Sequence, residues 1–404
     1  MNDFSHEGGG TIRMQGIMNE LVKQNHDVIF ISNTNKIDLF NDKIQHIALD
    51  FPFSRKQKRI FQGLVGILPN FLIKLMYSSL FKSIQKVIEG KFDNESVYFC
   101  EYLDNSIGYC LKTSGIIKNY INDLHGVATL EFKFQAQHAQ SLKDKIKFYT
   151  KYKVSDLLDK KVCNAAEGLI FASQAMEEYF IEQYPKVAVK HNYILPYVLS
   201  SDAISDEVDL ALKQQLAEKF QRKPDEKIIF FAGAFKKTGG VPDLILAFNK
   251  IASQYSIRLF IVGDGPTMPE CLAIVKEKQL NDKVIFIGRI PYHQLRTYQN
   301  LVDIIVCPDK QNVYSELIVH VKYLDSLLSG KIVINGSFKS VKEINKNEFL
   351  SVDFKPSDVS SLSKAILYSL DNLEALSQKY ANNKVYAKQN LTYASHVSVL
   401  ENKR

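Results

Sequence analysis

Residues 228–335 decide the fold of this chain, and their segments read IIFFAGAFKKTGGVPDLILAF (228–248), RLFIVGDGP (258–266), KVIFIGRIPYHQL (283–295) and VDIIVCPDKQNVYSELIVHVKYLDSLLSGKIVIN (302–335). Four apolar runs rich in β-branched residues each break at glycine, proline or a polar residue. Each break leads into a segment of helical period, which predicts a parallel sheet with covering helices. Because ligands of such sheets bind at the carboxyl ends of the strands, the breaks are also where chemistry is expected.

The composition is that of an ordinary globular protein. The chain has 404 residues, 46% of them hydrophobic and 24% charged, and this length favours two domains over one. A formal net charge of +7 suits an anionic small molecule, an anionic membrane surface or nucleic acid. Nucleic acid has little support, because the basic residues are dispersed and no recognition module is visible.

The cysteines indicate a reducing compartment. They are Cys100, Cys110, Cys163, Cys271 and Cys307. An odd number without CxxC spacing predicts reduced thiols and argues against disulfides and a zinc site. The polar start MNDFSHEGGG lacks an apolar signal segment, and no apolar run approaches the roughly 20 residues that span a bilayer. We therefore expect a cytoplasmic protein.

The first half alternates in the same way but less regularly. A helix is expected over TIRMQGIMNELVKQN and a strand at DVIFISN. Ser173 followed by Glu177 and Glu178 is typical of a helix N-terminus. Further strands are expected at 96–100, 116–123, 168–173 and 187–195, and further helices at 137–165, 173–184 and 207–222.

The stretch 196–206 marks the predicted domain boundary. We divide the chain into a Rossmann-like domain over 1–198, a second over 199–384 and a polar, partly helical segment over 385–404 that can cross back to the first domain. The amino terminus is unusual, since such a domain opens with a strand before its glycine loop. Only seven residues, MNDFSHE, precede Gly8, and they are too few and too polar for a buried strand, so we expect a truncated start or a domain that lacks its first strand.

Residues 54–90 combine a basic cluster with an apolar, aromatic stretch. Arg55, Lys56, Lys58 and Arg59 precede IFQGLVGILPNFLIKLMYSSLFKSIQK. This pattern is typical of a segment that lies on an anionic membrane surface. An ordinary pair of core helices with a solvated basic end is the alternative.

Two glycine-rich turns can bring backbone amides to a ligand. Gly9 and Gly10 precede a helix, whose N-terminus favours negative charge. The turn Gly263-Asp264-Gly265 follows the strand RLFIV, with Pro266 near the start of a helix. The alternatives are a flexible terminal turn in the first case and a helix cap by Asp264 in the second.

Charged or titratable side chains near the ends of the other predicted strands are candidates for ligand binding or catalysis. Asp325 and Lys322 stand apart from the apolar stripe of their segment, and an acid there can accept hydrogen bonds from sugar hydroxyls. His125 follows a strand and precedes a glycine. Lys236 and Lys237 lie in the loop after the strand IIFFA, where ammonium groups can neutralise a phosphate. The alternative for Asp325 is a solvated helix face, and the alternative for His125 is a structural role. For Lys236 and Lys237 it is a solvated loop.

These motifs together resemble the GT-B glycosyltransferases with a family-4-type carboxyl-terminal domain. The resemblance covers nearly the whole chain and is strongest over 228–335. IVGDGP occurs at 261–266, FIGRIP at 286–291, VDIIVCP at 302–308 and KYLDSLLSGKIVI at 322–334, while GGG, DLHG and GLIFASQAMEEYF fit in the first half.

The resemblance implies two Rossmann-like domains that face a cleft, the first for the acceptor and the second for a sugar nucleotide. It implies retention of configuration, no divalent metal and no cofactor besides the nucleotide-sugar co-substrate. Cationic side chains, amides and helix N-termini then stabilise the leaving group. It makes His125, Asp325 and Glu316 the catalytic candidates. The expected donor contacts are Gly9, Gly10, Lys236, Lys237, Gly263, Asp264, Gly265, Arg289 and Lys322.

The chain also departs from the family pattern. Of the two acids that the family pattern carries, the second falls on Asp325, which is shorter than the usual glutamate, and the first falls on Leu317, one place from Glu316. Ala234 and Gly239 stand where the diphosphate-binding Arg and Lys are expected, with Lys236 and Lys237 as substitutes. We therefore carry two hypotheses: a hexosyltransferase of cell-surface polysaccharide synthesis, peripheral at the inner face of the plasma membrane, and a non-catalytic sugar-binding or scaffold protein. A sugar-nucleotide epimerase or a phosphorylase is a weaker third.

Overall fold

The computed structural model describes residues 9–32, 42–49, 54–90, 97–101, 104–199 and 208–400. The chain divides into two compact units, one of Met1–Tyr197 with His396–Arg404 and one of Val198–Ser395. The predicted boundary falls partly on residues 200–207, outside the described residues, and the second unit extends beyond the predicted limit of 384. Each unit is described by itself.

The first unit is a mixed α/β structure. Its elements are α1 (Gly9–Lys23), β1 (Ile29–Ser32), β2 (Gln45–Ala48), α2 (Arg55–Ile67), α3 (Asn70–Met76), α4 (Ser78–Ile88), β3 (Phe99–Glu101), α5 (Asn105–Thr113), β4 (Ile121–Leu124), α6 (Ala128–Gln137), α7 (Leu142–Ala165), β5 (Gly168–Phe171), α8 (Gln174–Gln183) and β6 (His191–Ile194).

The strands of this unit form two parallel sheets. β1 pairs with β2, and a second sheet has the order β3-β4-β5-β6. β4 and β5 are buried along their whole length, as expected of central strands in a parallel sheet with both faces covered. The prediction of a missing first strand concerns residues 1–8, which lie outside the described residues.

The second unit contains one larger sheet. Its elements are α9 (Leu210–Phe220), β7 (Lys227–Ala232), α10 (Val241–Asn249), β8 (Ile257–Val262), α11 (Met268–Glu277), β9 (Val284–Gly288), α12 (Leu295–Asn300), β10 (Ile304–Cys307), α13 (Val321–Leu327), β11 (Ile332–Gly336), α14 (Lys339–Ile344), β12 (Val352–Phe354), α15 (Val359–Asp371), α16 (Leu373–Tyr380), α17 (Asn383–Asn390) and α18 (Tyr393–His396).

The six strands of this sheet run parallel in the order β12-β11-β10-β7-β8-β9. Alternate residues of β7 pack on opposite faces: Ile229 and Phe231 join one apolar cluster, while Ile228 and Phe230 join another. Burial of each such side chain stabilises the fold by about 1.5–3 kcal/mol. The four runs of 228–335 are thus β7, β8, β9 and β10, and the predicted Rossmann-like α/β fold is confirmed.

Some predicted elements of the first half were wrong in extent. The strand predicted over 187–195 is a 3-10 helix at Pro185–Val189 followed by β6. The single helix predicted over 137–165 begins only at α7, whose N-terminus is capped by the Ser141 side chain. The predicted strand 116–123 begins only at Ile121. Gly115, at φ +74°, lies in the turn that ends α5. By contrast, Ser173 caps α8 as predicted.

Candidate active site

Three loops meet at the carboxyl ends of β7, β8 and β10. Gly263 has φ +129°, and a Cβ there would lie 1.9 Å from the Gly233 carbonyl oxygen. Gly240 has φ +67°, and a Cβ there would lie 1.7 Å from the Pro308 oxygen. Only glycine lets these backbones approach so closely.

A cavity of about 530 Å³ lies beside these loops in the second unit. The strand ends Ala232, Val262 and Cys307 contribute to its wall. It brings together the predicted donor-site residues Gly263, Asp264, Arg289, Lys322 and Asp325. The fold brings these five residues together from three separate segments: the turn after β8, the residue after β9 and α13.

Asp325 is the buried acid of this cavity. It is 5% exposed, so the interpretation as a solvated helix face is wrong. The Tyr292 hydroxyl donates to its Oδ1 at 2.7 Å, and Arg296 Nη1 donates to its carbonyl oxygen at 2.8 Å. Burial raises the pKa of Asp325, while the Tyr292 hydrogen bond and the Arg296 charge act in the opposite direction.

Lys322 is held by a second buried acid. Its Nζ donates to Asp309 Oδ1 at 2.7 Å and lies 5.4 Å from the centre of the Phe231 ring. His320 also faces Asp309, at 3.8 Å from Nδ1 to Oδ1, and burial lowers the pKa of His320. Asp309 Oδ2 and His320 Nε2 are buried without a hydrogen-bond partner among the described residues. Buried polar atoms without a hydrogen-bond partner are expected at a site that binds a polar ligand.

Glu316 serves the backbone in this structure. Its Oε2 accepts from the Lys339 amide at the start of α14 at 2.6 Å, and its Oε1 accepts from Gln311 Nε2 at 2.5 Å. It does not line the cavity. That Glu316 assists Asp325 stays a prediction, since Glu316 would first have to give up these two hydrogen bonds.

Lys236, Lys237 and Gly265 were also predicted as donor contacts but do not line the cavity. Lys236 and Lys237 are exposed. The Gly265 amide donates to Asp264 Oδ1 at 2.7 Å, so Asp264 holds its own turn and Thr267, not Asp264, is the N-cap residue of α11. The ion pair between Asp264 and Arg289 at 3.7 Å is largely exposed, where such pairs contribute little.

His125 belongs to a buried ionic network in the first unit. It follows β4 directly, is 8% exposed, and its Nδ1 lies 3.2 Å from Asp123 Oδ2. Arg13 of α1 makes a bidentate pair with Asp123, with Nη2 2.8 Å from Oδ1 and Nε 2.8 Å from Oδ2. Arg13 also donates to the carbonyl oxygens of Leu195 and Pro196.

The charge on Asp123 fixes the geometry of this network. Burial raises the pKa of Asp123, but the adjacent Arg13 guanidinium and the His125 ring outweigh it and hold that pKa well below its usual range. A carboxylate that accepts from Nδ1–H places the other ring nitrogen of His125 as the acceptor in the neutral tautomer. Gly9 and Gly10 form the first turn of α1, the helix that carries Arg13.

Residues 212–387 match the family model of glycosyl transferases group 1. The matched residues lie within the second unit. A stretch of 75 residues, 19% of this chain, is 35% identical to N-acetyl-alpha-D-glucosaminyl L-malate synthase of Bacillus anthracis. The match spans 20% of that relative's length.

The whole chain shares the fold of GT-B glycosyltransferases. Sucrose-phosphate synthase of Thermosynechococcus elongatus is similar with a TM-score of 0.68 at 18% identity, over 98% of this chain and 92% of that one. HepE of Anabaena, solved with UDP and glucose, is similar with a TM-score of 0.66 at 12% identity, over 98% and 95% of the two chains.

The backbone around Gly239 is close enough to crowd an added side chain. A Cβ there would lie 3.1 Å from the Ala234 oxygen and 3.2 Å from the Lys236 oxygen. Ala234 lines the cavity but carries no charge. The positive charge near the predicted diphosphate position therefore comes from side chains elsewhere, of which Lys322 lines the cavity and Lys236 lies close enough to His320 to act on its pKa.

Several residues of both sites escaped the sequence analysis. Tyr292 and Arg296 reach Asp325 from another segment, and Asp309 reaches Lys322 in the same way. Arg13 reaches Asp123 although the two residues are 110 positions apart in the sequence. Side-chain spacing along one element carries no signal for such partners. Among the described residues, no group of three or more His, Cys, Asp and Glu is placed to hold a metal ion.

Proposed function

We propose that the protein transfers a hexose-type sugar from a nucleotide-diphosphate donor to a glycan or lipid-linked acceptor in cell-surface polysaccharide synthesis, with retention of configuration. The observation that carries the proposal is the cavity of the second unit, where Asp325, Lys322 and Arg289 line the carboxyl ends of parallel strands. This is where nucleotides bind in open α/β sheets.

In the proposed donor complex, the Asp325 carboxylate accepts hydrogen bonds from ribose or hexose hydroxyls. Lys322 and the exposed Lys236 and Lys237 offset the diphosphate charge, and the Gly263 turn lets the donor approach the backbone. Charge on the leaving group is then stabilised by side chains and amides. The proposed reaction uses no metal and no cofactor besides the nucleotide sugar.

His125 is the proposed contact to the transferred sugar. Asp123 accepts from its Nδ1, so its other nitrogen can accept a hydrogen bond from a sugar hydroxyl. The ring orientation is fixed because Asp123 is itself held by Arg13. We assign the first unit to the acceptor.

The acceptor is proposed to be held at a membrane. In the block 54–90, the large apolar side chains Ile67, Phe71, Leu75 and Met76 are each more than half exposed. They lie beside basic residues, which suits contact with anionic lipid. No helix among the described residues is long and apolar enough to cross a bilayer. The proposed location is the inner face of the plasma membrane.

The test is turnover of a panel of UDP-, GDP- and ADP-sugars, followed by mass spectrometry of the products. We expect one donor to be consumed and His125→Ala to lower kcat/KM by at least about 100-fold through misplacement of the sugar. His138→Ala is the matched control, since His138 is an exposed histidine of the same unit. Undiminished turnover by His125→Ala would refute the role of His125.

A non-catalytic sugar-binding or scaffold protein is the second candidate. The uncharged Ala234 and the tightly packed Gly239 favour it, because they leave the predicted diphosphate position without its usual cations. Calorimetry with the same panel separates the two. Binding without turnover, or no binding at millimolar donor, would favour this candidate.

A further inference from the structure

The first half of α7 exposes an apolar stripe. Leu142, Ile146 and Tyr149 are 74%, 59% and 54% exposed. Their spacing of four and three residues puts them on one face of the helix, since each residue turns it by about 100°. No residue over 141–153 is buried, and the buried residues of α7 begin at Leu158. The core of the unit therefore does not use this stripe.

Lysines flank the stripe on both sides. Helical geometry places Lys145 on one side and Lys143 on the other. The lysines of the segment are Lys143, Lys145, Lys147, Lys151 and Lys153. Five lysines and one acid, Asp144, give residues 141–153 a net charge of +4. We call this segment the α7 lysine surface.

Aromatic rings lie next to these ammonium groups. Lys147 Nζ is 5.0 Å from the centre of the Phe148 ring, and Lys153 Nζ is 5.7 Å from that of Tyr149. Lys151 Nζ is 5.3 Å from the ring of Phe132, which belongs to α6. Positive charge is thus held beside apolar surface, as in helices that lie between lipid headgroups and acyl chains.

We propose that the α7 lysine surface docks on an anionic lipid bilayer. The apolar stripe enters the boundary of the acyl chains while the lysines on its two sides reach headgroup phosphates. An acidic protein could satisfy the lysines, but the row of large apolar side chains between them favours lipid.

This surface is separate from the block 54–90. α2 of that block packs against the second half of α7, where a Cβ on Gly66 would lie 3.4 Å from Leu158 Cβ and one on Gly63 would lie 3.7 Å from Val154 Cγ1. The first half of α7 lies N-terminal to this contact. The inference goes beyond the proposed function and does not depend on it.

A single tryptophan can report docking, because the chain has none. Tyr149→Trp in the full chain should shift its emission to the blue when vesicles of phosphatidylcholine with 30% phosphatidylglycerol are added. Tyr368→Trp is the matched control, since Tyr368 is 49% exposed on α15 of the other unit, and its emission should not move. An unmoved Tyr149→Trp spectrum would overturn the proposal.

Vesicle co-sedimentation of the full chain then measures the two contributions. We expect Leu142→Ser/Ile146→Ser and Lys143→Gln/Lys145→Gln each to lower binding to the anionic vesicles at least about tenfold. Leu210→Ser and Lys219→Gln are matched controls on α9: Leu210 is 75% exposed, and Lys219 Nζ lies 5.7 Å from the Phe220 ring. All of the changed side chains are outside the core, so far-UV circular dichroism should be unchanged.

Three outcomes would contradict the proposal: equal binding to neutral phosphatidylcholine vesicles, wild-type binding by both double variants, or loss of binding only in Phe71→Ser/Leu75→Ser of the block 54–90. Donor turnover without vesicles should be the same in the α7 variants and the wild type. Failure of lipid docking and failure of the proposed transferase activity are therefore seen in different measurements.

Discussion

At the scale of single residues, the buried carboxylates Asp123 and Asp325 differ in the charge of the side chain that each of them faces. Asp123 faces the guanidinium of Arg13, whereas Asp325 faces the hydroxyl of Tyr292. A full positive charge keeps the first carboxylate ionised, while a neutral donor only partly offsets the burial of the second. Asp123 is therefore a fixed anion that orients His125, and Asp325 is an acid whose charge can respond to pH and ligand.

Replacement of Asp123 by Asn should leave the buried Arg13 with an uncompensated charge. We expect the first unit to lose about 3–5 kcal/mol of unfolding free energy, as measured by urea denaturation. Because the pKa of Asp123 is lowered in the folded state, this contribution should be present at neutral pH and fade as the pH falls below about 4. Glu277→Gln, in an exposed pair with Lys278, should change nothing measurable. An equal loss in both variants would contradict the assignment.

Replacement of Tyr292 by Phe should weaken donor binding in a pH-dependent way. Without the hydroxyl that donates to Oδ1, the pKa of Asp325 rises further, so less carboxylate is available at acid pH. We expect affinity for the preferred nucleotide, measured by calorimetry, to fall about 5- to 10-fold at pH 6 and less at pH 8. Tyr255→Phe removes a similar bond to Asp371 far from the cavity and should have no effect. A pH-independent loss would indicate a purely steric role.

At the scale of elements, glycine residues let the loops after β7 and β8 approach closely enough to form hydrogen bonds with their neighbours. The Phe235 amide donates to the Asp264 oxygen at 3.0 Å, and the Gly263 amide donates to the Gly288 oxygen at 2.9 Å. These bonds join three successive strand ends into one floor for the cavity. The glycine turn that the sequence suggested as a ligand contact thus also has a packing role.

Gly263→Ala tests this packing role. The added methyl would collide with the Gly233 carbonyl oxygen, so we expect a loss of at least about 2 kcal/mol in the unfolding free energy of the second unit, together with weaker donor binding. Gly90→Ala is the matched control, since Gly90 has φ +73° with nothing within 4 Å of the added Cβ, and it should show backbone strain alone. Similar losses in both, measured by chemical denaturation, would contradict a steric role.

At the scale of the whole molecule, the chain forms two units and returns to the first at its end. The 3-10 turn Val397–Leu400 contacts α1 and β6 of the first unit, and Val397 and Leu400 are buried. Residues 397–400 are thus part of the core of the first unit. The first unit therefore combines two segments that are far apart in the sequence, whereas the second unit is one continuous segment.

Donor binding should stabilise the two units unequally. At 100 times its Kd, a ligand that binds the folded state adds about 2.7 kcal/mol to the unfolding free energy of its site. We expect hydrogen exchange to slow mainly over 233–240 and 263–267 of the second unit. The network around His125, the proposed acceptor site, should respond less to nucleotide alone. Protection confined to the first unit would contradict the assignment of the donor site.

The sequence by itself determined the α/β class, the strands β7 to β10 and the group 1 resemblance, because apolar periodicity and glycine positions are local signals. It also placed Asp325, Lys322 and Gly263 in one site, since carboxyl ends of parallel strands converge. Only the tertiary structure decided what those groups face. Packing between segments that are distant in the sequence makes Tyr292 the partner of Asp325, Asp309 the partner of Lys322 and Arg13 the partner of Asp123. It also leaves the α7 stripe exposed. The spacing of residues along one segment does not predict such contacts.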